Sequence, residues 1–239
     1  MTCEINMRIY YRISNNSYKK NRLNNATKAK CLLNFLKEFK VVGNFITIVA
    51  DNVTEAALET LIDSQRCDNI SIFKTSLGNA GTLKYCLNMA CQDVKDNDYV
   101  YFAEDDYFYL EGACEYLKEG LEISDYVTLY DHPDKYIDAM YGGNPQIENG
   151  GEVTRVVITK SIHWKLTNST TGTFGVKSKT LKEDLKVWEK YVSGNYVRDY
   201  ETFCELIGIH GRSLISCIPG KSTHSEVSWL SPLFDWSKL

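Results

Sequence analysis

The chain has 239 residues, of which 44% are hydrophobic, so it can build one substantial core, and we expect a single domain spanning 1–239. Its 27 basic and 31 acidic residues are mixed along the chain and give a net charge of -4, so no basic stripe is present to bind nucleic acid. The first residues lack the features of a secretory signal, and no apolar run reaches membrane-spanning length, so we expect a soluble, cytoplasmic protein without a membrane span.

Eight cysteines are scattered along the chain without any C-x-x-C pair, and most stand among apolar residues. Free cysteine packs as a small hydrophobic residue, and intracellular disulfides are rare. We therefore expect reduced, mostly buried thiols at Cys3, Cys31, Cys67, Cys86, Cys91, Cys114, Cys204 and Cys217.

Up to about residue 110, short β-rich runs alternate with stretches of helical periodicity, which indicates parallel βαβ units. In the second helix, Thr54 is the expected N-cap. The inward face of that helix is expected to comprise Ala57, Leu58, Leu61 and Ile62. The predicted elements are strands at 4–13, 45–52, 69–75 and 99–103, helices at 26–39 and 54–64, and a third helix through Leu83, Leu87 and Ala90.

After residue 110 the pattern is less regular. Residues 126–130, 155–166 and 171–178 have β character, and helices are predicted around 181–191 and 200–206. Residues 131–151 are rich in Gly, Pro, Asn and Asp, which predicts a long loop. Because long loops in compact domains are often functional, we interpret this one as a candidate substrate-binding flap.

Polar residues end three of the predicted strands. They are Tyr11 and Arg12, Asp51 and Asn52, and the acidic run from Glu104 to Asp106. In an open parallel sheet, ligands bind outside the carboxyl ends of the strands, where the strand order reverses. These residues are therefore candidates for a binding site.

The acidic run Glu104, Asp105 and Asp106 follows an apolar strand directly. Adjacent carboxylates repel one another and resist desolvation unless a cation or hydrogen-bond donors compensate them. Mg²⁺ or Mn²⁺ would accept one or two carboxylate oxygens and complete its coordination with water and diphosphate oxygens. An acidic turn at the positive end of the next helix would have the same pattern, so the triplet alone leaves both interpretations open.

The run YVYFAEDD at 99–106 resembles the strand and D-x-D-type motif of GT-A, family 2-like glycosyltransferases, with Glu104 and Asp106 as its outer acids. Further segments match in the same order: GNAGTLKYCLNMA, TGTFGVKS, RDYETF and STHSE. Together with YDHPDKY and SIHWKLTNSTTGTF, they are similar to short bacterial and large-virus glycosyltransferases over nearly the whole chain. The chain departs from the family in two places, with Glu-Asp-Asp in place of Asp-x-Asp and Arg198 in place of an acid.

This resemblance implies an α/β fold with a Rossmann-like, mostly parallel central sheet flanked by helices and a smaller mixed C-terminal part. Residues 1–110 would bind a nucleoside-diphosphate sugar, and residues 111–239 would bind the acceptor. The implied reaction moves a hexosyl or deoxyhexosyl group to a hydroxyl acceptor, a glycan or glycoconjugate, with inversion. The implied compartment is the cytoplasm, or the host cytoplasm if the source is viral.

The resemblance also implies a set of site residues. Asp106 would be the principal ligand of Mn²⁺ or Mg²⁺, Glu104 would bind the metal directly or through water, and His224 would add an imidazole that suits Mn²⁺ better. Asp51 would hydrogen-bond the donor base. The full set that we assign to donor binding is Tyr11, Arg12, Asp51, Asn79, Glu104 and Asp105.

Asp199, at the start of the helix in RDYETF, is the candidate general base for the acceptor hydroxyl. An ordinary aspartate pKa of about 3.9 would keep it ionised at neutral pH. Glu201 is the alternative base, or it orients the acceptor hydroxyl. One direct displacement of this kind would invert the anomeric configuration.

Each of these residues also has a structural interpretation. Asp199 could cap its helix, His224 could be an ordinary packed histidine, and Asp51 and Asn79 could only shape turns. His132 and His163 are treated as structural. The four tryptophans could stack on sugars, although core packing is the commoner role; they are Trp164, Trp188, Trp229 and Trp236.

The sequence leaves other functions open. A sugar-nucleotide nucleotidyltransferase would also bind nucleoside phosphates and a divalent ion, but such enzymes resemble one another in a Gly-rich, Arg-containing segment after the first strand, which this chain lacks. A catalytically inactive nucleotide- or glycan-binding module is a second alternative. A glycosidase would use paired carboxylates without metal or nucleotide.

Overall fold

The structure is a computed structural model that describes residues 6–15 and 20–239. Cys3 and the first two residues of the strand predicted at 4–13 lie outside the described residues. The remaining part of that strand is present, since it begins at Met7 and continues to Ser14.

The first half contains the alternating strands and helices that the sequence predicts. Each strand is a mostly apolar run, and each helix presents an apolar stripe to the sheet. The elements are β1 (Met7–Ser14), α1 (Lys28–Phe39), β2 (Asn44–Asp51), α2 (Ala56–Asp63), β3 (Ile70–Thr75), α3 (Gly78–Asp93) and β4 (Tyr99–Glu104).

The start of α2 differs from the prediction. Glu55, and not Thr54, occupies the N-cap position, and its side chain makes no capping bond. Instead, the Asn15 side-chain oxygen accepts from the Thr54 backbone N–H at 2.9 Å. Leu58 and Ile62 are buried as predicted, but Ala57 is exposed, because the helix is short and only a narrow stripe reaches the core.

The second half is mixed and contains several elements that sequence periodicity did not predict: β5, α4, β10 and β11. Its elements are β5 (Tyr107–Tyr109), α4 (Ala113–Ile123), β6 (Tyr126–Thr128), β7 (Val156–Ile158), β8 (His163–Leu166), β9 (Phe174–Lys177), α5 (Ser178–Tyr191), α6 (Asp199–Gly208), β10 (Leu214–Ile218) and β11 (Ser222–His224). The loop predicted at 131–151 contains only two short 3₁₀ turns, at 133–136 and 139–141.

Within the described residues, one sheet runs through both halves in the order β3-β2-β1-β4-β9-β6-β10-β8-β7. β1 pairs in parallel with β2 and with β4, and β4 pairs antiparallel with β9. β5 and β11 form a separate antiparallel pair. The chain leaves β1 on one side to build β2 and β3 and returns on the other side as β4, so the strand order reverses between β1 and β4.

Helices cover both faces of this sheet. One face packs against α1, α2 and α4, and the other packs against α3, α5 and α6. Successive residues of β1 therefore point to opposite cores. Ile9, Tyr11 and Ile13 point to the α1 side, while Tyr10 points to the α3 side. The same alternation sends Arg12 towards α3.

The seven described cysteines are free, and four of them are buried: Cys31, Cys86, Cys114 and Cys217. Burial raises the pKa of the Cys86 thiol to about 12. Among residues 6–15 and 20–239, no helix is long and apolar enough to cross a membrane.

Candidate active site

A cavity of about 480 Å³ opens at the carboxyl ends of β1, β2 and β4, at the point where the strand order reverses. This size suits a ligand of a few hundred daltons, because binding pockets for such ligands measure about 300–1,000 Å³. Nine of the candidate residues from the sequence line it: Arg12, Asp51, Asn52, Asn79, Glu104, Asp105, Asp106, Asp199 and His224.

Arg12 and Glu104 both line the cavity and bind each other. They are register partners on the neighbouring parallel strands β1 and β4, so their side chains lie side by side. The Arg12 Nη2 donates to Glu104 Oε1 at 2.5 Å, and its Nη1 donates to the backbone oxygen of Asn79 at 2.9 Å and to Oδ1 of Asn79 at 3.0 Å. Arg12 thus joins the start of α3 to the end of β4.

Asp105 is hydrogen-bonded to groups at the end of β1 and the start of α1. Its Oδ2 accepts from the backbone N–H of Ser14 at 2.7 Å, and its Oδ1 accepts from Lys28 Nζ at 2.5 Å. Burial raises the pKa of this carboxyl to about 6, against the charge of Lys28. Although Asp105 contributes to the cavity lining, its oxygens tie the end of β1 to the start of α1.

Asp106 and His224 form a close pair. Asp106 Oδ2 lies 3.2 Å from His224 Nε2 and 2.9 Å from Arg22 Nη2. Burial alone would raise the pKa of Asp106, but the bond from His224 and the charges of Lys28 and Arg22 hold it well below its usual range. Asp106 is therefore an ionised carboxylate inside a protein cavity, and its charge is compensated by cationic and polar neighbours.

The small β5–β11 sheet positions this pair. Asp106 directly precedes β5, and His224 ends β11 opposite Tyr107. The backbone N–H of Ser225 also donates to the Asp106 backbone oxygen at 2.8 Å. Antiparallel pairing over three residues therefore brings together two side chains that are 118 positions apart.

The Asp106–His224 pair suits a hard divalent ion that takes its remaining ligands from water and a diphosphate. Behind the imidazole, the backbone N–H of Glu226 donates to His224 Nδ1 at 3.4 Å, and the Glu226 carboxylate oxygen Oε2 lies 3.8 Å from the same nitrogen. Among the described residues, no group of three or more His, Cys, Asp or Glu side chains is arranged to hold a metal ion. The structure does not bring Glu104 to this pair, because Arg12 binds it.

Asp199 begins α6 and lines the same cavity as the Asp106–His224 pair. Its Oδ1 is buried and has no hydrogen-bond partner within the described part of the chain. Burial and the neighbouring Glu104 carboxylate raise the pKa of Asp199 to about 7, against the charge of Arg12. The expectation of an ordinary aspartate pKa is therefore wrong, because the sequence carries no information about this burial.

A second cavity of about 490 Å³ adjoins the first on the α6 side. Asp199 and Trp229 line both cavities, while Glu201 lines only the second one and is exposed. Lys135 also borders the second cavity, but its Nζ is bound to Asn168 Oδ1 at 2.8 Å and to Ser169 Oγ at 2.7 Å. This cavity therefore offers free acidic and aromatic groups, whereas the charge of Lys135 is used internally.

Asp51 lines the first cavity, but each of its oxygens already accepts two hydrogen bonds. Oδ1 accepts from Thr75 Oγ1 at 2.9 Å and from the backbone of Leu77 at 2.5 Å. Oδ2 accepts from Asn52 Nδ2 at 2.8 Å and from the backbone of Gly78 at 3.1 Å. This carboxylate shapes the turn before α3, and its contact with a donor base stays a prediction.

The structure corrects the assignment of Tyr11 to donor binding. Tyr11 is fully buried and packs against Phe35 of α1, with ring centroids 4.4 Å apart. It does not line either cavity. Strand alternation explains the difference, because Tyr11 and Arg12 must point to opposite faces of the sheet.

Several residues of the site were not selected from the sequence. The segment 20–28 supplies Lys20, Arg22 and Lys28, and Lys20 pairs with Glu226 at 2.9 Å. Thr171 and Gly172 precede β9 and line the first cavity. A side chain at Gly172 would meet the Glu104 carboxyl group at 2.8 Å. His132 and Trp229 line both cavities, whereas His163 lines neither, and the other three tryptophans are buried in the core.

No protein-family model and no curated protein sequence matches the chain. Solved structures do match it. GalNAc-T7 with UDP, GalNAc and Mn²⁺ superposes with a TM-score of 0.60 at 11% identity, over 92% of this chain and 43% of that one. The apo structure of the bifunctional glycosyltransferase WbbM gives 0.52 at 12% identity, over 90% and 39%.

A third match is 4-diphosphocytidyl-2C-methyl-D-erythritol synthase from Anaerococcus prevotii DSM 20548, with a TM-score of 0.51 at 11% identity, over 89% of this chain and 87% of that one. The chain spans about two-fifths of the GalNAc-T7 and WbbM chains. At these identities the likeness concerns the fold alone, and the chain has a GT-A fold.

Proposed function

We propose that this protein is a metal-dependent glycosyltransferase that moves a sugar from a nucleoside-diphosphate donor to a hydroxyl acceptor. The observation that carries the proposal is the shared cavity of Asp106 and Asp199 at the reversal point of a GT-A sheet. One carboxylate is ionised beside an imidazole, and the other has a free buried oxygen. A leaving group and an attacking group need these two environments on opposite sides of one sugar.

On the donor side, residues of the first half and of β11 would hold the nucleoside diphosphate. Asp106 and His224 would hold Mn²⁺ or Mg²⁺, which supplies positive charge for the departing diphosphate when bound. Arg12 fixes Glu104 beneath the cavity and keeps the start of α3 in place. The basic side chains of Lys20 and Arg22 also line the cavity.

On the acceptor side, the second cavity would present a hydroxyl to Asp199. The free Oδ1 of Asp199 would accept the proton as the hydroxyl attacks, and a pKa near 7 makes this carboxylate a stronger base than an ordinary aspartate. Glu201 and Trp229 suit a neutral sugar acceptor, since a carboxylate accepts hydroxyl protons and an indole packs on the apolar face of the ring. A single displacement of this kind inverts the anomeric carbon.

Ligand-dependent melting tests the donor site. Nucleoside diphosphates and nucleotide sugars are screened with and without Mn²⁺, and the largest stabilisation is expected when metal and diphosphate are present together. Asp106→Asn should abolish it, while the exposed Asp96→Asn control should retain it. Stabilisation by nucleotide in Asp106→Asn equal to that of the unaltered protein would contradict the assignment.

Turnover tests the base and separates the competing functions. Asp199→Asn should lower the rate of sugar transfer, or the rate of donor hydrolysis where no acceptor is present, by about 10²–10⁴-fold. General-base catalysis contributes about this much. Binding without any turnover would indicate an inactive module. Pyrophosphate release from a nucleoside triphosphate and a sugar phosphate would instead indicate a nucleotidyltransferase.

A further inference from the structure

The position of Arg22 beside Asp106 indicates a specific role for this residue in the donor site, and this inference rests on the proposed function. Arg22 Nη2 lies 2.9 Å from Asp106 Oδ2, and His224 Nε2 lies 3.2 Å from the same oxygen. The oxygen that would bind a metal ion therefore already carries a guanidinium group. A guanidinium and a divalent ion at one carboxylate oxygen would repel each other strongly, because both are cations within about 4 Å.

We infer that Arg22 is an exchangeable counter-ion: it neutralises Asp106 in the metal-free protein and moves to the diphosphate of the donor once a divalent ion occupies Asp106. Arg22 would then be a donor-binding residue whose position depends on the metal. The exchange lets the cavity keep Asp106 ionised without metal and use the same cation for the diphosphate when metal is present.

The backbone around Arg22 allows such a movement without unfolding. Leu23 N–H donates to Ser225 O at 2.9 Å, and Val227 N–H donates to Asn21 O at 2.9 Å, so the residues flanking Arg22 are fixed to the segment after β11. These bonds do not involve the Arg22 side chain, which is 18% exposed and lines the cavity. A movement of the guanidinium would therefore leave these backbone bonds in place.

The surrounding charges favour the diphosphate as its second partner. Six carboxylates and three basic side chains line the first cavity, so a diphosphate entering without cations would meet net negative charge. The remaining basic side chains have fixed or separate partners, since Arg12 is bound to Glu104 and Lys20 to Glu226. Arginine binds phosphate oxygens through two parallel N–H groups of its guanidinium. The Arg22 guanidinium would bind the diphosphate in this way after it leaves Asp106.

The test measures binding of the metal alone and of the diphosphate alone, and it does not require turnover. Mn²⁺ binding without nucleotide is followed by electron paramagnetic resonance of free Mn²⁺, and inorganic pyrophosphate in excess Mg²⁺ is titrated by calorimetry. Arg22→Gln should bind Mn²⁺ about tenfold more tightly, because the competing cation is gone. The same variant should bind magnesium pyrophosphate about 10–100-fold more weakly, because a charged bidentate donor is lost.

Two further variants control the result. Arg212→Gln also removes an arginine from an aspartate, Asp184, but lines neither cavity, and it should bind both probes as the unaltered protein does. Arg22→Lys keeps the charge without the fork, so Mn²⁺ affinity should stay within about threefold while pyrophosphate binding weakens. Circular dichroism of each variant checks that it is folded, and Arg22→Lys supplies the decision if Arg22→Gln is not.

The outcomes separate this inference from the proposed function. If Arg22→Gln binds Mn²⁺ no more tightly than the unaltered protein, or binds pyrophosphate equally well, the exchange is wrong while the donor site stands. If the unaltered protein binds neither Mn²⁺ nor magnesium pyrophosphate, the proposed function itself fails and the exchange fails with it.

Discussion

At the scale of single residues, Asp199 combines a catalytic position with a cost to stability. Burial and Glu104 raise the pKa of Asp199 to about 7, whereas an unfolded aspartate titrates at about 3.9. Between these values the folded protein binds more protons at Asp199 than the unfolded chain does. The contribution of this residue to the free energy of unfolding therefore falls as the pH rises from about 4 to 7.

Asp199→Asn should consequently stabilise the protein, and the gain should grow with pH. One pKa unit corresponds to about 1.4 kcal/mol, so the gain amounts to a few kcal/mol at most above pH 7 and disappears near pH 4. Urea unfolding of both proteins at pH 5 and pH 8 measures it. The exposed neighbour Glu201→Gln is the control, and a gain for Asp199→Asn that does not depend on pH would contradict the raised pKa.

Arg12 is expected to link stability to the pH dependence of the reaction. Arg12→Gln leaves Glu104 without its cation, which should cost about 2–3 kcal/mol of unfolding free energy, less than for a fully buried pair because Glu104 is 24% exposed. The Arg12 charge also lowers the pKa of Asp199, so its removal should shift the rise of the transfer rate to higher pH.

The control for Arg12 is Arg212→Gln, which removes an equivalent arginine from the buried Asp184. Both variants should lose stability in urea unfolding, but only Arg12→Gln should move the pH–rate profile. Equal profiles for the two variants would mean that Arg12 has no electrostatic influence on Asp199.

Residue-scale features were predictable from sequence where local order decides them. The acids after β4 were found because three carboxylates following an apolar strand form a visible pattern, and six of the other candidate residues also line the cavity. Tyr11 was assigned wrongly although strand alternation could have excluded it. The partners Lys20, Arg22 and Lys28 were missed because only tertiary contacts join segment 20–28 to Glu226 and to the acidic run.

At the scale of secondary-structure elements, the length of a hydrophobic pattern decides whether an element can be predicted from the sequence. The βαβ units of the first half have long apolar runs and helical stripes, so periodicity finds them. β5 and β11 have three residues each and exist through their pairing with one another, which leaves too short a pattern to recognise. These two strands nevertheless position Asp106 and His224, so the site depended on elements that the sequence did not reveal.

Packing of helix α4 against the sheet is tested by comparing a glycine in α4 with a glycine in α6. A methyl group at Gly120 would lie 2.8 Å from Val127 Cγ1 and 2.9 Å from the Trp164 ring, whereas nothing lies within 4 Å at Gly208, which ends α6. Gly120→Ala should destabilise the protein by about 1–3 kcal/mol through overpacking. Gly208→Ala should be neutral or stabilise it by up to about 1 kcal/mol.

Thermal or urea unfolding of the two alanine variants measures the contrast. Because both substitutions add one methyl group to a helix, the difference between them isolates the contact of α4 with β6 and β8. A Gly120→Ala protein as stable as Gly208→Ala would show that the helix can move away from Trp164 without loss.

At the scale of the whole molecule, the two halves share one sheet, because β4 of the first half pairs with β9 of the second. The first cavity also draws on both halves, because Arg12 and Asn79 come from one half and Asp199 and Trp229 from the other. Separating the halves would expose the edge of a central strand. We therefore predict that residues 1–110 and 111–239 unfold together as one cooperative unit.

The distribution of side chains provides probes for each half. All four tryptophans lie after residue 110, so tryptophan fluorescence reports the second half. The buried thiol of Cys86 reports the first half, because it should react with an alkylating reagent only after α3 is released. Exposed Cys67 should react at every urea concentration and serves as the internal standard.

Labelling of Cys86, read by mass spectrometry, should therefore follow the same urea dependence as tryptophan fluorescence, since a two-state transition gives coincident curves for different probes. A nucleoside diphosphate with Mn²⁺ should move both curves to higher urea by the same amount, because a ligand that binds the folded state stabilises the whole cooperative unit. If Cys86 instead became reactive at lower urea than the fluorescence change, the halves would be separate folding units. The pairing of β4 with β9 would then couple the two halves only weakly, and donor binding should stabilise the first half more than the second.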